Sequence, residues 1–300
     1  MKTASCPAFK PSNFRSCLYA CLGAAMSIVS IYAHAEPGGR LLATGGVTQI
    51  EGSAGGGLVP WALIAGYGTR DQIGGSAFYT DVRTQGFTLG SGGVAVGFYD
   101  RVELSFARQR FGLGDTIPNT SIEQDIAGVK VKVYGDAVYD QDSPWPQIAI
   151  GAQYKHNRDF DFVPKLIGAK KDSGTDFYVA ATKVYLGGPF GRNWLLNGTV
   201  RASKANQFGI LGFGGDLNDS YRARFEGSVG VFLTDSLVLG AEYRNKPNNL
   251  SAFKEESASD LFLAWMPNKW LALTAAYVDL GNIANKASQT GTYLSLQINY

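Results

Sequence analysis

The last nine residues, TYLSLQINY at 292–300, constrain the fold more than any other stretch. Leu294, Leu296, Ile298 and Tyr300 alternate with Tyr293, Ser295, Gln297 and Asn299. A period of two marks a strand with one apolar and one polar face. Chain ends are usually polar and frayed, and an apolar strand with a free edge invites aggregation. A strand that runs to an aromatic last residue therefore needs a partner on each side. A closed barrel supplies both.

The opposite end reads as an export signal over residues 1–35. Lys2, Lys10 and Arg15 precede an apolar run from Leu18 to Tyr32, and Ala33-His34-Ala35 gives a small-x-small cleavage pattern. An uncleaved anchor and a lipoprotein cysteine at Cys21 are poorer fits. Cleavage would remove Cys6, Cys17 and Cys21, which are all the cysteines, and would leave His156 as the sole histidine. Disulfides, thiolate chemistry and multi-histidine metal sites are then excluded, and no cofactor is expected. The formal net charge of the whole chain, +2, comes from 27 basic and 25 acidic residues. Without the signal, 24 basic residues face 25 acidic ones, so no nucleic-acid partner is expected.

After residue 35 no apolar run is long enough for a spanning helix. Alternating segments recur at 41–50, 59–67, 75–84, 87–98, 102–111, 124–135, 147–157, 175–186, 193–203, 222–233, 236–245, 258–266, 269–279 and 291–300. A soluble β-sandwich would alternate in the same way, but connection lengths discriminate. Short links at 98–101, 187–192, 234–236 and 266–269 alternate with long ones at 112–123, 158–174, 204–221, 246–257 and 280–290. Tight periplasmic turns and long external loops are the asymmetry of outer-membrane barrels. The link Asp136 to Pro146 is the exception. Tyr99, Trp194, Trp265, Trp270 and Tyr300 fall at the periplasmic strand ends, and Tyr154 and Tyr243 near the external ends, as interfacial belts require. The expected fold is all-β: a transmembrane antiparallel up-and-down barrel of about fourteen strands. The alternative has twelve, with residues 36–68 as an internal segment.

The stretches GGRLLATGGVTQIEGSAGGGLVPWALIAGYGTRDQIGGSAFYTDV and GVAVGFYDRVELSFARQRFGLG resemble a proteobacterial family of exported proteins known only as a domain of unknown function. The resemblance covers most of the mature chain, residues 36–300. It implies an outer-membrane barrel and supplies no catalytic residue. At the level of architecture alone, a barrel of this size is similar to the channels for long-chain fatty acids and aromatic hydrocarbons. Leu294, Leu296, Ile298 and Tyr300 are similar to the C-terminal signal read by the outer-membrane assembly machinery, which is the expected folding partner.

Strand parity directs Asp81, Arg83, Glu103, Lys130, Lys132, Lys183, Arg201, Arg224, Glu226, Glu242 and Arg244 to the lumen. An Arg or Lys facing lipid at mid-depth would cost about 2–4 kcal/mol. These charges either line a polar channel or fill a closed interior. Arg108 and Arg110 share the outward face with Leu104 and Phe106, near the external end. There they could clamp lipopolysaccharide phosphates; the alternative is a bulge that turns them inward. GSAGGGLVP at 52–60 lacks the Lys-Ser/Thr and helix of a phosphate loop, and reads as an external loop or as backbone folded into the lumen. His156 is the one acid–base candidate, and His156-Asn157-Arg158 carries no nucleophile beside it. The loops 159–168 and 206–215 are unusually apolar, which fits packing over the mouth or capture of an apolar substrate. These features predict a porin-like channel for a small solute and no enzymatic activity. A plugged structural or adhesive barrel and an uptake channel for hydrophobic compounds are the alternatives, and a lipid-modifying enzyme is a poorer one.

Overall fold

A computed structural model describes residues 39–300; the signal-peptide reading lies outside the described residues. Twelve strands form one closed antiparallel barrel. They are preceded by two short strands inside it, β1 (Val47–Thr48) and β2 (Ala54–Gly55). The wall is β3 (Ile73–Thr84), β4 (Thr88–Phe98), β5 (Val102–Gly112), β6 (Ser121–Tyr134), β7 (Gln147–Asn157), β8 (Ser173–Tyr185), β9 (Trp194–Ser203), β10 (Arg222–Thr234), β11 (Leu237–Arg244), β12 (Ala258–Asn268), β13 (Leu271–Asp279) and β14 (Thr290–Asn299). Each pairs with its neighbour in sequence, and β14 returns to β3 with Ile298 opposite Ala77. Tyr300 and Gly75 exchange two backbone hydrogen bonds of 2.8 Å at the seam, so neither edge of the last strand is free.

The outer face is apolar because alternate positions are. Val94, Leu104, Ile150, Val179, Leu261 and Leu296 are all exposed on the wall. Tyr99, Trp265, Trp270 and Tyr300 ring the periplasmic end, and Tyr154 and Tyr243 the external end. A closed ladder with an apolar belt satisfies every backbone group within lipid.

Of the two expected counts, the twelve-stranded alternative with an internal N-terminal segment holds and the count of fourteen does not. Segments 41–50 and 59–67 do not join the wall; every residue from Ala43 to Gly68 is buried within the barrel. Glycine permits this path. A side-chain carbon at Gly56 would lie 2.0 Å from the Glu242 carboxylate, and one at Gly97 would lie 2.3 Å from the Ala65 carbonyl. The Gly-rich stretch is thus backbone folded into the lumen. Its apolar side chains, Ile50, Leu58, Leu63 and Ile64, are fully buried, a gain of roughly 1.5–3 kcal/mol each.

Candidate functional site

Only Val47–Thr48 and Ala54–Gly55 of the plug pair as strands, so wall side chains serve much of the remaining plug backbone. Ser91 Oγ and Gln109 Nε2 donate to the Ile50 carbonyl at 2.6 and 2.8 Å. Thr199 Oγ1 donates to the Pro60 carbonyl at 2.8 Å. The Ala62 amide donates to Thr182 Oγ1 and its carbonyl accepts from Gln147 Nε2, at 2.7 and 2.6 Å. Trp61 Nε1 donates to Ser228 Oγ at 2.9 Å.

Charge is matched as well. Glu51 of the plug lies 2.5 Å from Lys155, 2.9 Å from Arg244 and 3.6 Å from Arg201. Asp176 pairs with Lys155 at 2.7 Å, and Glu226 with Arg201 at 2.5 Å and Arg244 at 3.4 Å. Glu103 pairs with Lys130 at 3.1 Å and accepts the Ala54 and Ala65 amides. Lys130 Nζ in turn donates to the Ala54 and Trp61 carbonyls. Four bases therefore meet four carboxylates around the plug. Buried charges persist only when paired and hydrogen-bonded in this way.

Of the residues expected in the lumen, Glu103, Lys130, Lys183, Arg201, Glu226, Glu242 and Arg244 are inside and buried. Lys183 donates to the Asp140 carbonyl at the periplasmic mouth. Lys132 also sits at that mouth, bonded to Asp100, which pairs with Arg40 at 3.2 Å. Arg224 faces inward at the external end and donates to Asn245 Oδ1 at 3.1 Å. Asp81 and Arg83 are a correction. They face outward and pair with each other at 2.6 Å, because Phe78, Thr80 and Val82 take the inner face. The inner face of β3 thus carries the apolar Phe78 and Val82 where other strands carry charges. Glu51, Lys155, Asp176, Asp260 and Tyr293 escaped the sequence reading. Lys155 alternates with His156, whose outward direction already implied an inward lysine. Glu51 carried no such signal, since its segment has no regular period.

Loops close the external end. Phe208, Ile210, Leu211 and Phe213 are buried there, held by Gln207 and Phe208 in left-handed backbone at φ 44° and 62°. Non-glycine residues rarely occupy that region. The Gln207 amide donates to both Glu255 oxygens, and its side chain donates to the Asn282 carbonyl and accepts from Lys246. One residue thus ties three loops together. Beneath the loops an enclosed apolar cavity of about 30 Å³ is lined by Ile50, Leu58, Phe111, Phe208, Ile283 and Tyr293, among others. Among the loops lies a cleft of about 150 Å³ that includes Phe87, Phe111, Val163, Ile167, Phe253 and Ile283. Phe111 and Ile283 line both.

Burial pushes Glu255 up to about 7, partly opposed by Lys246, whose own burial brings it down to about 8. The closed cap therefore holds the Glu255 proton more tightly than an opened loop would. That stabilisation is complete below the ordinary carboxylate range near 4.5 and is lost as pH rises through about 7. Lys246 stays charged below pH 7 and does not offset it. Limited proteolysis of the external loops is expected to be several-fold slower at pH 5.5 than at pH 8, and Glu255→Gln should flatten that difference.

On the outer face, Arg108 binds Asp125 at 2.6 Å and Arg110 donates to Ser121 Oγ at 3.0 Å. His156 faces outward, 3.9 Å from Asp172. Ser173 is its cross-strand neighbour, but its hydroxyl donates to Asp172 at 2.9 Å.

A closed antiparallel barrel with a lipid-facing belt, aromatic rims and a filled lumen defines an outer-membrane β-barrel of a Gram-negative bacterium. The chain belongs to the family described as protein of unknown function (DUF3034), whose profile matches residues 44–297. No curated protein matches it. Among solved structures it is similar to Omp33 of Acinetobacter baumannii, at 10% identity over 76% of this chain and 96% of that one, TM-score 0.43. It is also similar to the NanC porin, at 10% identity over 76% and 98%, TM-score 0.45. A third is outer membrane phospholipase A of Escherichia coli, at 11% identity over 75% and 91%, TM-score 0.39. These likenesses concern barrel architecture alone.

Proposed function

We propose that the protein is a gated channel that admits a small apolar solute and is closed at rest by its own segment 43–68. The observation that carries this reading is the pair of apolar spaces at the external end. The cleft among the loops and the cavity share Phe111 and Ile283 in their linings, and Ile50 and Leu58 of the plug also line the cavity. A solute held in the cleft would pass inward only when those plug residues move. External loops in water have no other reason to carry so many apolar side chains apart from packing. Arg108 and Arg110 would meet lipopolysaccharide phosphates outside, with no part in transport. Catalysis at His156 is not proposed, because Ser173 is held by Asp172 rather than by the imidazole.

Proteoliposome uptake tests this. A labelled monocyclic aromatic hydrocarbon should enter faster than into empty vesicles, and Ile283→Asp should slow it on the order of tenfold by placing an unpaired charge in the apolar wall. A sugar should enter no faster than into empty vesicles. Equal entry of sugar and hydrocarbon, or entry unchanged by Ile283→Asp, would overturn the proposal. A second reading, a permanently plugged structural barrel, is favoured by the complete pairing around Glu51. It predicts no uptake of either solute.

A further inference from the structure

The charge balance of the lumen leaves two carboxylates over. Glu242 on β11 and Asp260 on β12 are cross-strand partners, and both face inward and are buried. Each Glu242 oxygen accepts one hydrogen bond, from Ser228 Oγ and from the Leu58 amide, both at 2.7 Å. Neither Asp260 oxygen has a hydrogen-bond partner, although the residue is only 7% exposed. Among the described residues no basic side chain pairs with either. Tyr293 on β14 supplies an independent observation: it is 1% exposed and its Oη also lacks a partner. Asp260 and Tyr293 converge on Gly57 of the plug, where a side-chain carbon would lie 3.4 Å from Asp260 Oδ2 and 3.2 Å from Tyr293 Cζ.

Two adjacent buried carboxylates without a counter-charge would repel each other and lose hydration together. Hard oxygen donors in an irregular arrangement suit Ca²⁺, which tolerates varied geometry, better than Mg²⁺, which demands an octahedron. We infer that Glu242, Asp260 and Tyr293 hold a divalent cation of the calcium class against the plug at Gly57. No group of three or more His, Cys, Asp or Glu side chains suited to a metal ion occurs among the described residues, so the phenol oxygen is the third ligand the proposal assigns. The ion neutralises the surplus charge and clamps the 56–58 backbone to the wall. The site does not depend on transport, since it requires only that the plug be seated.

The test uses the folded full-length mature barrel in detergent, stripped with a chelator and dialysed against radiolabelled Ca²⁺. The wild type should bind about one ion per barrel and melt at higher temperature with Ca²⁺ than with chelator. Asp260→Asn should weaken binding by at least roughly tenfold, as loss of a ligand does, and should abolish the Ca²⁺ effect on melting. Tyr293→Phe, which keeps the ring and its packing, should weaken binding several-fold and carries the test if Asp260→Asn does not fold. Asp161→Asn, in an external loop, should bind as the wild type. Absence of saturable binding, or equal binding by the wild type and both site variants, would overturn the inference. So would a wild type that ignores Ca²⁺ but melts higher at pH 5 than at pH 8, with that difference gone in Asp260→Asn. That outcome would mean the two carboxylates share a proton.

Discussion

Deleting residues 40–68 is expected to turn a closed barrel into a conducting one. The wall is a complete hydrogen-bonded cylinder without the plug, since β3 pairs with β14 directly. Its inner face would keep Glu103, Lys130, Lys155, Asp176, Arg201, Glu226, Glu242, Arg244 and Asp260, which are polar enough to be wetted once the plug is gone. Eight strands leave room only for side chains and sixteen leave an aqueous pore; twelve fall between, which is why a folded segment is needed to fill this one. In planar bilayers the deletion should raise conductance on the order of tenfold or more over the nearly silent full-length protein. Selectivity should be weak, because five remaining acids nearly balance four bases. The deleted form must first show heat-modifiable migration, the sign of a folded barrel. A folded deletion that stayed silent would mean that the external loops alone seal the barrel.

Most of the wall was legible because a strand in a barrel repeats one rule: apolar outside, polar inside, reversed at each turn. From 75–84 onward each expected segment overlaps an observed strand, and the link parity gave the orientation. The first two segments failed for a physical reason. In 41–50 and 59–67 apolar residues recur in short runs that also satisfy a strand pattern, but glycines at 45, 46, 52 and 55–57 let the backbone fold tightly against wall side chains. Nothing local distinguishes a buried strand from buried irregular chain, and the difference lies in which groups serve the backbone.

The site was legible only in part for a related reason. Lumen charges such as Glu103, Arg201 and Glu226 follow from parity, but parity assumes a polar interior at every depth. Next to β3 the interior is apolar locally, with Leu89, Phe111 and Val278 buried nearby, so Val82 turns inward and Asp81 and Arg83 turn out. The carboxylate that organises the network, Glu51, lies in the one segment where no periodicity applies. It could be found only after the chain was folded.

Glu51→Gln is expected to release the plug while leaving the wall closed. The substitution preserves shape and removes one charge from a balanced cluster. Lys155, Arg201 and Arg244 would then share Asp176 and Glu226, leaving one buried base without a counter-charge. Breaking a buried pair by neutralising one partner costs about 3–5 kcal/mol, against roughly 0–1 kcal/mol for an exposed pair such as Asp81 with Arg83. The wall ladder does not involve Glu51, so the loss falls on seating of the plug rather than on the barrel. A cysteine introduced at Ala54, buried between Glu103 and Lys130, reports this directly. In the Ala54→Cys background, Glu51→Gln should make the thiol react with a water-soluble maleimide at least on the order of a hundredfold faster, as a change of about 3 kcal/mol in plug seating requires. Asp81→Asn should leave the rate unchanged. Bilayer recordings of Glu51→Gln should show intermittent openings of the size seen in the deletion. Unchanged labelling, together with silent recordings, would mean that the hydrogen bonds from Ser91, Gln109, Thr182 and Thr199 seat the plug without the charges.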